Sequence, residues 1–275
     1  MQVKQFIIPY RRDDVFYLYP FGDIHTGTIH CAEAEVRAKR DEILKTPNAY
    51  WIGMGDYAEW ITSKDTRWDP SQKVVADWVE QDNIAECQRK WIVKLFEPIK
   101  DKCIGLMYGN HENSIRRYNN DNVHKNICDD LGVDNLGYSC FIHLTFRRRN
   151  SREAHMVKCA FTHGTGAART EGGRINYLKR FMDAFDAQIY GYGHVHHIAT
   201  HSPDHLCTTE NLMIKSRGKV GALTGCWFRT YTQGVVASYG EEKVYSPTRI
   251  GCPRFVINPD KGLIGVEVPA VMGAL

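Results

Sequence analysis

An α/β fold is expected from three features of this sequence. Apolar runs of strand length alternate early on with charged, helix-forming stretches. Five of the apolar runs give way to a Gly-containing loop. The final third is mostly strand-like, so antiparallel strands join a sheet begun by strand–helix alternation.

VFYLYPFGD, Val15 to Asp23, reads as a buried strand ending in Gly-Asp. The charged stretch from Cys31 to Lys45 is rich in helix formers. AYWIGMGD, Ala49 to Asp56, is a second apolar strand, and a polar, tryptophan-rich insertion follows over about 57–83. Ile84, Cys87, Trp91 and Leu95 recur at helical spacing, which predicts an amphipathic helix to about Lys100. CIGLMYGNHE is a third strand with its exit loop, and a further helix is expected from Asp121 to Leu131. YSCFIHLTF and HMVKCAFTHG flank the polar RRRNSREA, the pattern of a hairpin with a solvated tip. GTGAARTEGG is a Gly-rich loop, and Arg174 to Phe185 reads as helix. QIYGYGHVHH is the next strand and its exit. KVGALTGCW and CPRFVINPDKGLIGVEV close the chain as strands, the latter turning at Asn258 to Gly262. The C-terminal third is expected to supply most of a second sheet rather than a cap. No repeat or linker divides the 275 residues, so one domain spanning 1–275 is expected.

The chain is 43% hydrophobic and 24% charged, with a formal net charge of +3. That charge is too small to argue for nucleic acid or an anionic membrane. No apolar run reaches transmembrane length, and the N-terminal apolar segment is too short for a signal peptide. Nine cysteines, an odd number without a CxxC pair, read as reduced, buried thiols. A soluble protein of a reducing, cytoplasmic compartment is the expectation.

Chemistry gathers where the strands end. The endings are GDIHTG with Asp23 and His25, GD with Asp56, GNHE with Asn110 and His111, THG with His163, and GHVH with His194 and His196. A single GD is usually only a turn, and a lone strand-end histidine is usually structural. Five such endings in order are a different matter, because α/β sites form at the carboxyl ends of strands. His194 and His196 are spaced i, i+2, so on extended backbone they point the same way. The donors are carboxylate, imidazole and amide without thiolate, a set suited to Mn, Fe or Zn.

In this order the five blocks resemble the signature of the calcineurin-like metallophosphoesterases: D-x-H, GD, GNH[DE], a strand-end His and GHxH. The style is nearest to the DNA-repair exonuclease and phosphodiesterase branch. The resemblance spans Asp23 to His196, about two thirds of the chain. It implies a four-layer αββα sandwich with two mixed β-sheets and a dinuclear metal site at the strand ends. It places Asp23, His25 and His196 on one metal ion and Asn110, His163 and His194 on the other, with Asp56 bridging. It implies two divalent ions, most plausibly Mn, with Fe or Zn as alternatives. His111 is then not a ligand but the catalytic residue that assists the leaving group. Glu112 either orients His111 or is a surface carboxylate.

Paired cations, typically about 3.5–4 Å apart, acidify a shared hydroxide, so no Ser or Cys nucleophile is needed. The implied activity is hydrolysis of phosphodiester bonds by a metal-bridging hydroxide, acting on nucleic acid or nucleotides, DNA included. A phosphomonoesterase with the same site is the alternative. A non-catalytic interaction scaffold ranks below both, since such relatives tend to lose ligands. GDYAEW stands where the Ser/Thr phosphatase branch carries GDxxDRG, so that branch is disfavoured. Candidate phosphate contacts are Arg116 and Arg117 after GNHE, and Arg169 and Arg174 around the Gly-rich loop. Trp60, Trp68 and Trp78 either stack on a base or pack a loop or dimer contact. His197, His201, His205 and His30 are read as bystanders.

Overall fold

The computed structural model describes residues 1–61 and 74–270. It is an α/β structure with two six-stranded mixed sheets and a small two-stranded ribbon.

The first sheet is built on parallel strands. β2 (Phe16–Phe21), β3 (Ala49–Gly53), β4 (Cys103–Met107) and β5 (Asn135–Gly137) run in one direction. β2 and β3 are almost wholly buried, as covered parallel strands must be. The turn at Pro259 makes the hairpin of β13 (Arg254–Asn258) and β14 (Leu263–Glu267), and β13 pairs antiparallel with β2. The sequence points to this hairpin as part of a second sheet. It extends the first instead, because Phe255 and Ile257 pair across from Leu18 and Phe16 and share their core.

The second sheet has the order β1 (Gln2–Tyr10), β6 (Ser139–Arg148), β7 (Ala154–Thr162), β8 (Ile189–Tyr192), β12 (Val220–Thr224) and β9 (Ile198–His201). Only β8, β9 and β12 come from the last third of the chain. The β6–β7 hairpin forms as its alternating pattern requires. β1 was not foreseen, because MQVKQFIIPY mixes polar and apolar residues as an edge strand does. The ribbon of β10 (Asp204–Thr208) and β11 (Ile214–Gly218) is exposed along nearly its whole length and carries His205.

Helices α1 (Glu33–Lys45), α2 (Ile84–Phe96), α3 (Asn110–Asn119) and α4 (Val123–Leu131) lie between strands of the first sheet. α5 (Glu171–Ala184) connects β7 to β8, and α6 (Tyr239–Glu242) is a single turn. α2 ends at Phe96, and Pro98 lies in a 3-10 segment Glu97–Lys102. Its buried face is Ile84, Gln88, Ile92, Leu95 and Phe96, slightly rotated from the expected stripe. Cys87 and Trp91 are only half-buried, and Gln88 goes inside because its Oε1 accepts from Trp60 N at 2.9 Å. α3 escapes detection because NHENSIRRYN carries a single aliphatic residue, Ile115, which is buried. Asn120 stops it in the left-handed conformation at φ 55°.

Among the described residues, three large apolar clusters hold most of these elements together, and a small fourth packs Val75 and Val79 on Ile84 of α2. One joins Tyr19, Phe21 and Trp51 to Val36, Ile92, Phe96 and Ile127 of α1, α2 and α4. A second joins Leu18, Ile52 and Phe255 to Ile142, Phe146 and Phe161, one sheet against the other. The third joins Ala160, Tyr190 and Leu223 to Leu178, Phe181 and Met182 of α5. All nine cysteines are free and none is exposed, as small hydrophobic residues would be. No helix of the described residues is long and apolar enough to cross a membrane.

Residues 225–253, between β12 and β13, form a wall rather than a sheet. Isolated bridges pin it at Phe228 to Cys31 and at Cys226 to Ile250 and Gly251. The final third therefore does contribute a covering segment.

Candidate metal centre

The carboxyl ends of β2, β3 and β4 from one sheet meet those of β7 and β8 from the other. Asp23 and His25 follow β2, Asp56 follows β3, Asn110 and His111 open α3 after β4, His163 follows β7, and His194 and His196 follow β8. All seven residues expected as ligands, and His111, come together here. Asp23, His25, Asp56 and His163 are buried, at 0 to 2% exposure, so the groups sit in low dielectric.

Among the described residues, two of the three donor groups within metal-binding reach are Asp23 with His25 and His196, and Asp56 with His163 and His194. In each, the ligand atoms lie within 4.8 Å of one another. In the first, His25 Nε2 and His196 Nε2 face each other at 2.9 Å, and His196 Nε2 is 3.5 Å from Asp23 Oδ1. In the second, His163 Nε2 is 3.3 Å from Asp56 Oδ2. Asn110 Oδ1 lies 3.0 Å from His163 Nε2 and 2.8 Å from His194 Nδ1, which adds an amide oxygen to that group. His163 Nδ1–H donates to Met54 O at 2.8 Å, which aims Nε2 inward. Imidazole and carboxyl atoms meeting head-on fit divalent cations of the Mn, Fe and Zn type.

The third donor group, His25 with Glu59 and His111, was not foreseen. Glu59 is buried, with Oε1 2.8 Å from His25 Nδ1 and Oε2 3.6 Å from His111 Nδ1. Its backbone oxygen accepts from His111 Nδ1–H at 3.0 Å. One residue thus turns the Nε2 of both rings away from itself. The signal was legible in GDYAEW, where a carboxylate stands three residues after Asp56.

The loops are strained where they carry the expected ligand residues. Asp23, His25, Asp56, His194 and His196 all have left-handed φ, between 47° and 66°. That conformation costs a non-glycine residue about 1–2 kcal/mol, and Asp and His bear it better than most. Such strain persists where the surroundings over-determine it, commonly at functional sites. Gly109 is required by close approach. A Cβ there would stand 2.1 Å from Asp56 Oδ1 and 2.6 Å from His163 Cε1.

Glu112 neither orients the His111 ring nor lies on the surface. It is 2% exposed and accepts four bonds: Asp56 N at 2.9 Å, Gly109 N at 2.8 Å, Tyr57 N at 2.8 Å and Trp60 Nε1 at 3.1 Å. It locks the second block to the first turn of α3, half of a capping box. Burial and the Asp56 charge push its carboxyl up, while these donors pull it back.

Burial also opposes ionisation of Asp56, but His163 and His111 outweigh it and hold the carboxyl well below its usual range. Asp23 is lowered in the same way, burial being overcome by the hydrogen bond and charge of His196 and by His163. His163 is pushed up to about 10, because Asp56 and Asp23 outweigh its burial. His194 is pushed down to about 4 by burial and by the His163 charge. Without cations, His163 therefore carries the proton that balances the carboxylates.

A cavity of about 260 Å³ opens over the ligands and is lined by Asp56, Asn110, His111, His194 and His196. Of the four arginines expected near phosphate, only Arg174 lines it. Arg116 and Arg117 lie exposed in the last turn of α3, with Arg116 bonded to Asn113 at 2.8 Å. Arg169 is exposed and sits 5.6 Å above the Tyr245 ring. The tryptophans face inward: Trp60 bonds Glu112, and Trp78 bonds Glu33 at 2.7 Å and stacks on Trp91. Trp68 and the rest of 62–73 lie outside the described residues. His30 is buried against Phe228, and His197 lies 3.6 Å from Glu171; neither lines the cavity. Sequence reasoning missed the opposite wall, with Phe228, Tyr239 and Tyr245. No family model matches the chain, and no curated protein matches it.

Two outcomes are expected. Glu112→Gln puts an amide N–H against backbone donors, so it should cost about 1–3 kcal/mol for each donor left unpaired, read by urea unfolding. In chelator-treated protein, His163 has a folded value near 10 against an ordinary 6.5. Its contribution is complete below about pH 6.5 and is lost as pH rises through about 10, so the urea midpoint should fall across that window. The slope should shrink in His163→Gln.

Proposed function

We propose that this protein is a dinuclear metal-dependent phosphoesterase that hydrolyses phosphodiester bonds in nucleic acid or nucleotides. The observation that carries this reading is the convergence of the seven expected ligand residues and His111 from five strand ends, with His25, Asp56, Asn110, His111, His194 and His196 lining one cavity. Three apolar clusters, helix to sheet, sheet to sheet and sheet to helix, support a four-layer αββα arrangement beneath it.

In this reading Asp23, His25 and His196 hold one divalent ion, and Asn110, His163 and His194 hold the other. Asp56, 3.3 Å from His163 and bonded through its backbone oxygen to Ile24 N and His25 N, would be the carboxylate shared between the two. Mn is the first choice, with Fe or Zn as alternatives. Such ions, when bound, acidify water and neutralise phosphate oxygens.

The chain's own residues do the rest. His111 Nδ1–H is fixed on Glu59 O, which turns Nε2 toward the cavity, where the doubly protonated ring can hand a proton to the leaving oxygen. Its backbone N–H donates to Asp56 Oδ1 at 2.9 Å, tying its position to the shared carboxylate. Glu59 fixes the tautomer of His25 so that Nε2 is offered as a ligand atom. Arg174 reaches the cavity from the start of α5 and suits a phosphate oxygen.

The test is hydrolysis of an aryl phosphodiester after chelator treatment, with Mn²⁺ returned. His111→Ala should keep its metal yet lose about 10²–10⁴-fold in turnover, most with poor leaving groups. Asp56→Asn should lose both metal affinity and turnover. Loss of metal from His111→Ala would contradict its assigned role, and preference for a phosphomonoester would move the protein to that class.

A further inference from the structure

The wall opposite the ligands has no part in the chemistry above, yet it is built with care. Ser238 Oγ donates to Thr230 O at 2.6 Å, Thr248 Oγ1 to Phe228 O at 2.6 Å, and Tyr231 Oη to Tyr245 O at 2.8 Å. These bonds lace residues 228–248 to themselves. Tyr239 and Tyr245 then stand on the cavity, their rings edge to face at 6.2 Å. The Arg169 guanidinium over Tyr245 steadies that ring. Tyr239 remains 54% exposed, a large aromatic surface held at a site entrance.

Arg174 lines the same cavity. Its Nε donates to Ala168 O at 3.1 Å, which fixes the guanidinium and leaves its terminal nitrogens for a ligand. The cavity, about 260 Å³, lies just below the usual range of ligand pockets, about 300–1,000 Å³. That volume suits one phosphate with one flat group attached.

Resting on the phosphodiesterase reading, we infer that the cleft accepts a single nucleoside phosphate unit whose base packs on the tyrosine wall of Tyr239 and Tyr245. The substrate is then a single-stranded end or a small nucleotide diester, not a phosphate inside intact duplex. Aromatic contact of this kind tolerates any base, because every base has a π-face.

Calorimetry on the full chain, treated with chelator, tests the wall apart from turnover. Thymidine 5′-monophosphate should bind about tenfold tighter than 2-deoxyribose 5-phosphate. Tyr245→Ala should erase that preference, and Tyr245→Phe, which keeps the ring, should retain it. Equal binding of the two ligands to the wild type, or a preference untouched in Tyr245→Ala, would overturn the inference. With Mn²⁺, thymidine 5′-(4-nitrophenyl phosphate) should be preferred over methyl 4-nitrophenyl phosphate by a similar factor. Failure to hydrolyse either ester would defeat the phosphodiesterase reading and leave the binding result to stand alone. Linear against covalently closed single-stranded DNA separates the sources of the unit. Cleavage of the linear strand alone supports an end, inertness of both supports a small diester, and equal cutting of both overturns the end-limited fit.

Discussion

Two carboxylates, Asp23 and Asp56, are buried where the ends of two sheets meet, and their charge must be compensated there. An unpaired buried carboxylate is expensive, so the fold brings imidazoles against them. His196 answers Asp23, and His163 answers Asp56. The partners come from opposite sheets, so the electrostatic contact also fixes how the sheets meet at this edge. The apolar cluster between the sheets, from Leu18 and Ile52 to Phe161, holds them in register for it.

The same demand explains the loops. Each carboxylate or imidazole must turn back over the end of its strand, and a left-handed residue does so within one position. Asp23, His25, Asp56, His194 and His196 take that conformation, and the strain is carried by bonds around them. Asp23 N donates to Gly55 O at 2.8 Å, and Ile24 N and His25 N both donate to Asp56 O, which stitches the first block to the second. Glu112 then ties the second block to the third through backbone donors. Glu59 closes the set by holding a ligand histidine and His111 at once. These contacts hold the side chains of the centre in place, as pre-organisation of an electrostatic site requires.

Much of this was legible in the sequence, and for specific reasons. Buried parallel strands read as apolar runs, so β2, β3 and β4 were plain, and the ligand residues lay at their ends. α3 was hidden because a short, polar helix that packs through one isoleucine has no stripe to detect. β1 was hidden because an edge strand need bury only one face. Arg116 and Arg117 were drawn to the site by nearness in sequence, but helix geometry turns them outward. Glu112 looked like a partner for the neighbouring ring, whereas its position in the first helical turn sends it back to the N-terminus. The tyrosine wall was invisible because residues 225–253 follow no period that binary pattern can reveal.

Whether these seven residues hold two divalent ions is decided by metal content, measured by elemental analysis of wild-type and Asp56→Asn protein after equilibrium dialysis against Mn²⁺. Two ions per chain are expected in the wild type and a marked loss in the variant. A wild type that retains no ion, or an Asp56→Asn protein that retains both at unchanged affinity, would contradict the two-ion assignment.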